Sequence, residues 1–345
     1  MKRLIIISLF SLLMQSSFAQ QQFVYTNYLL NNYYYNPAIV GSVNYHQANI
    51  GYRKQWVGFD GSPATFNANF YGSYKNQMKH GYGVSLNTDK AGLMQRTAFY
   101  VNYAYHIDLN DKVKLALGVR PGYLLYNVKL YNAILADVGD DILTGNILTS
   151  NAFDLASGLN LYSNKFFIQA GMHQMLGKAV KFTDFNDGLS KQFTFIGGYN
   201  YQVKKKKQEG DENIQENTQH DTIPTKERTI EKFVFQPSLM VRYTKPIPAQ
   251  LSFMFKTTYN DKLWLGLSFR TQDAAGFSAG INVNERFIVG YAYDYAFGQV
   301  KGFQGGSHEI MLRFITTNKT TSISDKDEEL NNSIFEENKK KKNKN

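Results

Sequence analysis

Alternation between apolar and polar residues runs through most of this chain, and it limits the possible fold more than any other feature of the sequence. A period of two residues is typical of β-strands, whereas a helical period is nearly absent. The pattern therefore predicts an all-β protein. It is clearest in 96–107, where one face carries Thr97, Phe99, Val101, Tyr103, Tyr105 and Ile107, and the other carries Arg96, Ala98, Tyr100, Asn102, Ala104 and His106.

Fourteen segments with this alternation predict a fourteen-stranded antiparallel transmembrane β-barrel. Most are about 9–12 residues long, close to the length that crosses a bilayer as a tilted strand. Single-chain bacterial outer-membrane barrels have an even number of strands. The predicted strands are 45–54, 64–74, 81–88, 96–107, 112–125, 153–162, 165–173, 192–203, 232–243, 250–258, 262–270, 275–283, 286–297 and 307–316.

The polar faces of these segments favour a barrel over a β-sandwich. They carry many small residues together with Asn, Lys and Arg, as expected for a hydrated lumen. The 345 residues include no cysteine, which excludes disulfide scaffolds, thiolate metal sites and cysteine nucleophiles. The predicted mature chain has no apolar run long enough for a transmembrane helix.

A signal peptide is predicted at residues 1–19. Two basic residues precede the apolar run Leu4–Met14, and small residues stand before the bond between Ala19 and Gln20, where we expect cleavage. The apolar run is too short to cross a bilayer as a helix. A signal peptide implies export from the cytoplasm, and the predicted barrel implies the outer membrane as the destination. The net charge of +10 therefore does not indicate nucleic acid as a partner.

The rest of the chain divides by composition. The aromatic segment 20–44 is expected to form a plug in the lumen mouth, or to lie in the periplasm, and 45–316 is expected to form the barrel. Residues 204–231 and 317–345 are dense in charge and poor in large apolar side chains, which predicts disorder in both. The first of them would interrupt the barrel as a periplasmic insert.

Connection lengths predict how the barrel is oriented. In outer-membrane barrels, tight turns face the periplasm and long loops face outside. The long loops predicted here are 55–63, 127–152, 174–191 and 298–306. Both ends of the barrel and the segment 204–231 then face the periplasm, where a partner meets them or where they remain solvated linkers.

Two motifs near the start of the predicted mature chain resemble a known family. They are Asn36-Pro37-Ala38-Ile39-Val40-Gly41 and Arg53-Lys54-Gln55-Trp56-Val57-Gly58-Phe59-Asp60-Gly61-Ser62-Pro63-Ala64-Thr65. The chain resembles the PorP/SprF family of the Bacteroidetes type IX secretion and gliding machinery, whose pattern includes N-P-A-x-x-G and R-x-Q-W-x-G-x-x-G-x-P-x-T. Further matches at 81–86 and 306–310 extend the resemblance over nearly the whole predicted mature chain.

The resemblance marks ten positions as family signature or partner-binding residues. Pro37 and Pro63 suit chain reversals because proline lacks an N–H, and Gly58 and Gly61 allow positive φ. Trp56 is expected near a membrane interface. An alternative, in which the signature serves only folding and closure, stays open at this point. The ten residues are Asn36, Pro37, Gly41, Arg53, Gln55, Trp56, Gly58, Gly61, Pro63 and Thr65.

The function implied by the resemblance is that of a non-enzymatic outer-membrane component of type IX secretion and gliding. Such a protein would help to secrete, or to anchor at the surface, an adhesin-like cargo protein with a C-terminal secretion domain. Its expected partners are outer-membrane lipid, that cargo, and periplasmic type IX machinery or a peptidoglycan-binding adaptor. The alternative is a FadL-like transport channel for hydrophobic or small solutes.

Motifs of enzymes and metal sites find little support. Residues 276–280 match G-x-S-x-G, but they continue a strand pattern that places Ser278 on the lumen side, where a hydrolase needs a strand-to-helix turn. Residues 137–141 lack the spaced oxygen ligands of a calcium loop. The histidines are scattered singly, and His106 is expected to be solvated at a strand end. No catalytic residue, metal or cofactor is predicted.

Overall fold

The computed structural model describes ten stretches of the chain: 24–58, 60–74, 78–129, 147–177, 179–182, 185–206, 229–271, 273–284, 286–297 and 305–316. The expected signal peptide, most of the expected insert and the expected charged tail lie outside these stretches. Within them, no helix has the length and apolarity needed to span a membrane.

Strands make up almost all of the described part of the chain. One short helix, α1, spans Asn32–Tyr35, and a single 3-10 turn follows at Pro37–Ile39. The strands are β1 His46–Lys54, β2 Ala64–Ser73, β3 His80–Ala91, β4 Met94–Asp108, β5 Lys114–Lys129, β6 Ile147–Tyr162, β7 Phe166–His173, β8 Ala179–Phe182, β9 Phe185–Gly188, β10 Gln192–Tyr199, β11 Tyr201–Lys206, β12 Thr229–Thr244, β13 Ile247–Tyr259, β14 Leu263–Arg270, β15 Ala274–Asn282, β16 Phe287–Ala296 and β17 Ser307–Thr316.

The sheet closes on itself because its first and last strands pair. β1 and β17 form an antiparallel ladder in which His46 lies opposite Thr316 and Lys54 lies opposite His308. Neighbouring strands pair in sequence order from β1 to β7 and from β12 to β17. β10 pairs with both β7 and β12, and β11 continues along β12, so these two segments form one barrel strand. The result is the closed fourteen-stranded antiparallel barrel that the sequence predicts.

The break between β10 and β11 has a local cause. The registers on either side of it place Tyr199 opposite Pro237, which has no N–H to donate to the ladder. The next residue, Asn200, donates its backbone N–H to the Lys165 carbonyl instead (2.6 Å). Its side-chain oxygen accepts a hydrogen bond from Gln236 (2.8 Å).

Three features of the strands differ from the expectation. The predicted loop 174–191 contains a separate two-stranded hairpin, β8 and β9. β6 begins at Ile147, earlier than predicted, and pairs with β5 along that whole extension. β11 and β12 reach into the predicted insert at both of its ends, where Lys205 lies opposite Glu231. A backbone ladder continues beyond the apolar band because pairing satisfies N–H and C=O groups whatever the side chains are.

Apolar side chains point outward and polar or small ones point inward, as predicted. In β4 the side chains of Phe99 and Val101 are 51% and 48% exposed, whereas Tyr100 and Asn102 between them are buried. The same alternation holds in the other long strands. Ser278 of the G-x-S-x-G match is buried on the inner face, as expected for a strand. A barrel with an apolar outer band and a polar interior is the architecture of outer-membrane proteins.

The connections lie on two rims. The turn rim carries the start of β1, the end of β17 and the strand ends that flank 207–228, and the loop rim carries the strand ends between which all four of the predicted long loops run. The loop rim also carries three tight connections, at 92–93, 245–246 and 271–273, so length alone does not sort the connections between the rims. Exposure of the loop rim to the cell exterior remains the expectation from the long loops.

We predict that Leu267→Arg destabilises the barrel in a membrane far more than Leu267→Ala does. The Leu267 side chain is 62% exposed at the middle of β14, on the outer face. A charge at the bilayer midplane costs about 2–4 kcal/mol on such a face, whereas truncating a lipid-facing leucine leaves no internal cavity. The stability of each variant is measured by urea unfolding in phospholipid vesicles, with the folded fraction read from heat-modifiable gel migration. Equal stabilities of the two variants would contradict an outer face in lipid.

Candidate functional site

Residues 24–41, called the plug from here on, occupy the interior of the barrel. Most of their side chains are buried. The backbone N–H of Thr26 donates to Glu309 near the loop rim (2.9 Å), and the Val40 carbonyl accepts from His106 near the turn rim (2.7 Å). The plug therefore runs along most of the length of the lumen before the chain enters β1.

A row of small residues crosses five neighbouring strands on the inner wall. The registers pair Gly81 with Ala104, Ala104 with Gly118, Gly118 with Gly158, and Gly158 with Gly171. We call these five the small-residue row. Because none of them carries more than a methyl group, the row forms a shallow channel in which another backbone can approach closely.

The plug lies in this channel with backbone against backbone. A Cβ atom added at Gly118 would lie 2.4 Å from the Ala38 nitrogen, and one added at Gly81 would lie 1.9 Å from the Val40 oxygen. Gly158 and Gly171 are equally tight against the plug. No side chain fits at these distances, so the plug and the row require each other.

Side chains of the wall satisfy the backbone carbonyls of the plug. Asn102 donates to the Pro37 carbonyl (2.8 Å), and His106 donates through Nε2 to the Val40 carbonyl (2.7 Å). The Tyr162 hydroxyl contacts His106 Nδ1 (2.8 Å). The expectation of a solvated His106 is therefore wrong: the ring is 2% exposed, because the plug covers it.

A second group binds the carbonyls at the end of α1. Arg120 donates to the carbonyls of Tyr33 and Tyr34 (both 3.1 Å) and to His173 Nδ1 (2.8 Å). His173 in turn donates through Nε2 to the Tyr35 carbonyl (2.8 Å). Since Nδ1 accepts and Nε2 donates, these contacts fix His173 as a neutral tautomer. They also satisfy the carbonyls that the end of a helix leaves without partners.

Arg53 joins the plug to the seam at which the barrel closes. This guanidinium is 1% exposed and contacts Asp294 at 2.7 Å, Glu309 at 3.2 Å and the Thr26 hydroxyl at 2.5 Å. Arg270 also contacts Asp294, at 2.9 Å. We call these five residues the Arg53 network. Its two arginines and two acids offset one another in charge, as buried ions must.

The signature segment 55–63 at the loop rim is held by backbone hydrogen bonds. The Gln55 N–H donates to the Pro63 carbonyl (2.9 Å), which closes the segment at its base. Val57 exchanges two backbone hydrogen bonds with Gly305 and Gly306 (2.6 and 2.8 Å). The segment is thereby fastened to the loop between β16 and β17, across the seam.

The conformation of this segment explains its glycines. Gly58 and Gly61 have φ of 97° and 70°, which confirms the predicted positive values. Gly61 accepts a hydrogen bond from the Gly92 N–H (2.8 Å), which ties the segment to the turn between β3 and β4. Trp56 also has a positive φ, 49°, and its N–H donates to the Ser307 hydroxyl (3.2 Å).

A sequence model of the type IX secretion system membrane proteins PorP/SprF matches residues 17–314. That range covers most of the chain, including the plug, the Arg53 network and the signature segment. The chain belongs to the PorP/SprF family. It is therefore an outer-membrane component of type IX secretion, as its motifs imply. No curated protein sequence matches the chain significantly.

Solved outer-membrane barrels are also similar in architecture to this PorP/SprF protein. Omp33 of Acinetobacter baumannii is 9% identical, with a TM-score of 0.44 over 80% of this chain and 100% of that one. The toluene transporter TodX of P. putida is 8% identical, with a TM-score of 0.46 over 83% and 93%. The monoaromatic hydrocarbon channel CymD is 8% identical, with 0.45 over 83% and 92%. At these values no property of those proteins transfers to this chain.

The ten predicted PorP/SprF positions form two groups with one link between them. Partner binding by these residues stays a prediction, and the structure shows what each contacts within the barrel. Thr65 at the start of β2 donates to Asp89 (3.0 Å). Asn36, Pro37 and Gly41 lie in or beside the small-residue row, Gln55, Trp56, Gly58, Gly61, Pro63 and Thr65 lie at the loop rim, and Arg53 links the two groups.

Several residues of the site were not predicted. Asp294 holds Arg53, and Arg120 and His173 hold the plug, yet none of these three lies in a matched motif. Glu309, which also holds Arg53, lies in the family match at 306–310 but is not among the ten predicted positions. The sequence feature that could have identified them is a charged residue on the inward-facing side of an alternating strand, because a buried charge there needs a partner. Within the described stretches, no three acidic or histidine side chains cluster as metal ligands.

We predict that Gly118→Val displaces the plug and that Gly197→Val does not. A Cβ at Gly118 clashes with Pro37 and Ala38, whereas a Cβ at Gly197 meets nothing within 4 Å. Because the protein has no cysteine, Ala38→Cys supplies a single thiol whose labelling by a water-soluble maleimide reports exposure of the plug. Fast labelling in the Gly118 variant and slow labelling in the Gly197 variant are expected. Slow labelling in both would show that the plug tolerates the clash.

We also predict that Arg53→Met costs about 3–5 kcal/mol of stability, because it leaves Glu309 as an uncompensated buried charge. The double variant with Glu309→Gln removes that charge too and is expected to recover part of the loss. Lys54→Met, on the neighbouring and less buried position, serves as the control. Urea unfolding of the unmodified protein, the two single variants Arg53→Met and Glu309→Gln and the double variant gives the coupling energy between Arg53 and Glu309. A coupling near zero would contradict the ion pair as the source of this stability.

Proposed function

We propose that this PorP/SprF protein acts as a docking platform in type IX secretion and gliding. It would help to secrete an adhesin-like cargo protein with a C-terminal secretion domain, or to anchor that cargo at the cell surface. The plug is the observation that carries the proposal. Because residues 24–41 lie along most of the lumen and are hydrogen-bonded to its wall, we infer that the two rims are the surfaces that a protein partner meets.

The loop rim is the proposed surface for cargo. The segment 55–63 exposes the Val57 side chain (37%) while its backbone is bonded to two neighbouring connections. A surface whose backbone is fixed before binding loses little conformational entropy on docking. The same signature residues can therefore serve both in closing the barrel and in docking cargo.

The turn rim is the proposed surface for the periplasmic machinery or a peptidoglycan-binding adaptor. β11 ends and β12 begins at this rim, with 207–228 between them in the sequence, and β17 ends there before 317–345. Both are dense in Lys, Asp and Glu. Segments of this composition can become ordered when they bind a partner. We therefore propose them as tethers between the barrel and the periplasmic machinery.

The packing of the lumen supports docking over transport of hydrophobic or small solutes. A transport path along the barrel axis would have to pass the plug. Displacing the plug would remove the hydrogen bonds from Arg120 and His106 and expose the buried charge of Arg53. Leaving such groups without partners costs several kcal/mol in total.

A pair of surface variants tests the proposal. Val57→Glu places a carboxylate on the exposed side chain of the loop rim, and Leu109→Glu, at 53% exposure, makes a similar change at the turn rim. Burying an unpaired carboxylate against cargo is expected to weaken docking by more than about 1.4 kcal/mol, or about ten-fold. Surface-exposed cargo on intact cells is measured by antibody labelling, at equal amounts of barrel in the outer membrane.

The expected result is a loss of surface cargo with Val57→Glu and not with Leu109→Glu. Unchanged cargo with Val57→Glu would contradict docking at this part of the loop rim. Conductance in planar bilayers separates the transport alternative, because a steady open pore in the unmodified protein would favour transport and a silent barrel would favour docking.

A further inference from the structure

The outer wall of the barrel has an apolar notch between β12 and β16. It encloses about 510 Å³ and its lining is almost wholly apolar. The notch exists because three outward-facing side chains there, Thr257, Ala279 and Val289, are smaller than the residues around them. Those larger neighbours are Phe233, Tyr259, Leu263, Leu265, Ile281 and Tyr291.

The position of the notch limits what can enter it. Leu265 and Ile281 at its edges are 56% and 46% exposed on the face that an outer-membrane barrel turns to lipid. Ala279 lies three residues above Asn282 at the end of β15, so the notch centre is roughly 10 Å from the turn rim. An apolar site at that depth is open to the hydrocarbon chains of membrane lipids.

Two exposed basic side chains lie at the turn rim below the notch, each preceded in the sequence by an acidic residue. Lys262 and Arg286 are exposed there, in the turns that precede β14 and β16. Of the described acidic side chains in those turns, Asp261 is already paired with Lys232 (3.2 Å). The neighbouring Glu285 lies outside the described stretches. Basic side chains at the membrane surface attract anionic lipid headgroups, at about 1 kcal/mol for each charge.

We propose that this notch binds one acyl chain of an anionic phospholipid, with the phosphate of the headgroup at Lys262 and Arg286. The apolar volume selects a hydrocarbon chain, and the two cations select the headgroup. The site would keep one lipid at a fixed place on the barrel. It depends on the barrel fold and not on the proposed docking of cargo.

Trp264 supplies a built-in reporter for the site. Its ring lies inside the barrel against Gly280 and Gly290, and a Cβ atom at Gly280 would lie 2.1 Å from Trp264 Cζ2. The backbone of these glycines also lines the notch on the other side of the wall. The chain has two tryptophans, so Trp56→Phe leaves Trp264 as the only indole.

The test is quenching of Trp264 fluorescence by bromine atoms on lipid acyl chains. The Trp56→Phe protein is reconstituted in phosphatidylcholine vesicles that contain increasing fractions of brominated phosphatidylglycerol. Saturation of quenching at a low fraction is expected, as is weaker quenching by brominated phosphatidylcholine. Lys262→Gln and Arg286→Gln should each raise the half-saturating fraction about five-fold.

Two substitutions on the same face of β15 provide the matched control. Ala279→Phe fills the notch and is expected to abolish saturable quenching. Ala275→Phe, four residues earlier on the same face of β15, should retain it. Heat-modifiable gel migration confirms that each variant forms the barrel. Quenching that rises in proportion to bulk lipid, or that persists unchanged in the Ala279 variant, would overturn the site. Equal quenching by both headgroups would overturn its selectivity for anionic lipid.

Discussion

Satisfying every backbone polar group inside lipid is the requirement on which this structure depends. Without water in the hydrocarbon region, a sheet can cross a membrane only if it has no open edge. The ladder between β1 and β17 removes that edge. Once the ring is closed, the two faces of each strand meet different surroundings, and the alternation in the sequence follows from that difference.

Closure leaves a second requirement, because the enclosed face carries polar groups that also need partners. Part of the interior is satisfied by residues that precede the barrel in the chain. The small-residue row accepts the plug backbone, and Arg120, His106 and the Arg53 network bind its polar atoms. Most plug side chains are thus buried, although the wall around them has the composition of a lumen. With the plug in the lumen, the rims are the surfaces on which the proposed docking depends.

The sequence predicts which face of the barrel a side chain lies on better than it predicts what that side chain contacts in the lumen. Alternation sets which side chains face lipid, and it placed Ser278 and Asn102 inward correctly. It does not set what an inward residue meets, since Arg53 and Asp294 become neighbours only after closure brings together residues 241 positions apart. The solvated His106 was a wrong expectation for the same reason. Glycines at 118, 158 and 171 look like isolated small residues until the strand registers align them.

The contact between Thr26 and Glu309 has a consequence for how the barrel is made. These residues are 283 positions apart, and the second lies on β17, the strand that completes the ring. This hydrogen bond can form only when β17 is present, so the leading segment reaches its final partners only after the last strand of the chain has been made. The first part of the chain to be synthesised is therefore bonded to the last, and the two ends of the polypeptide depend on each other in the finished barrel.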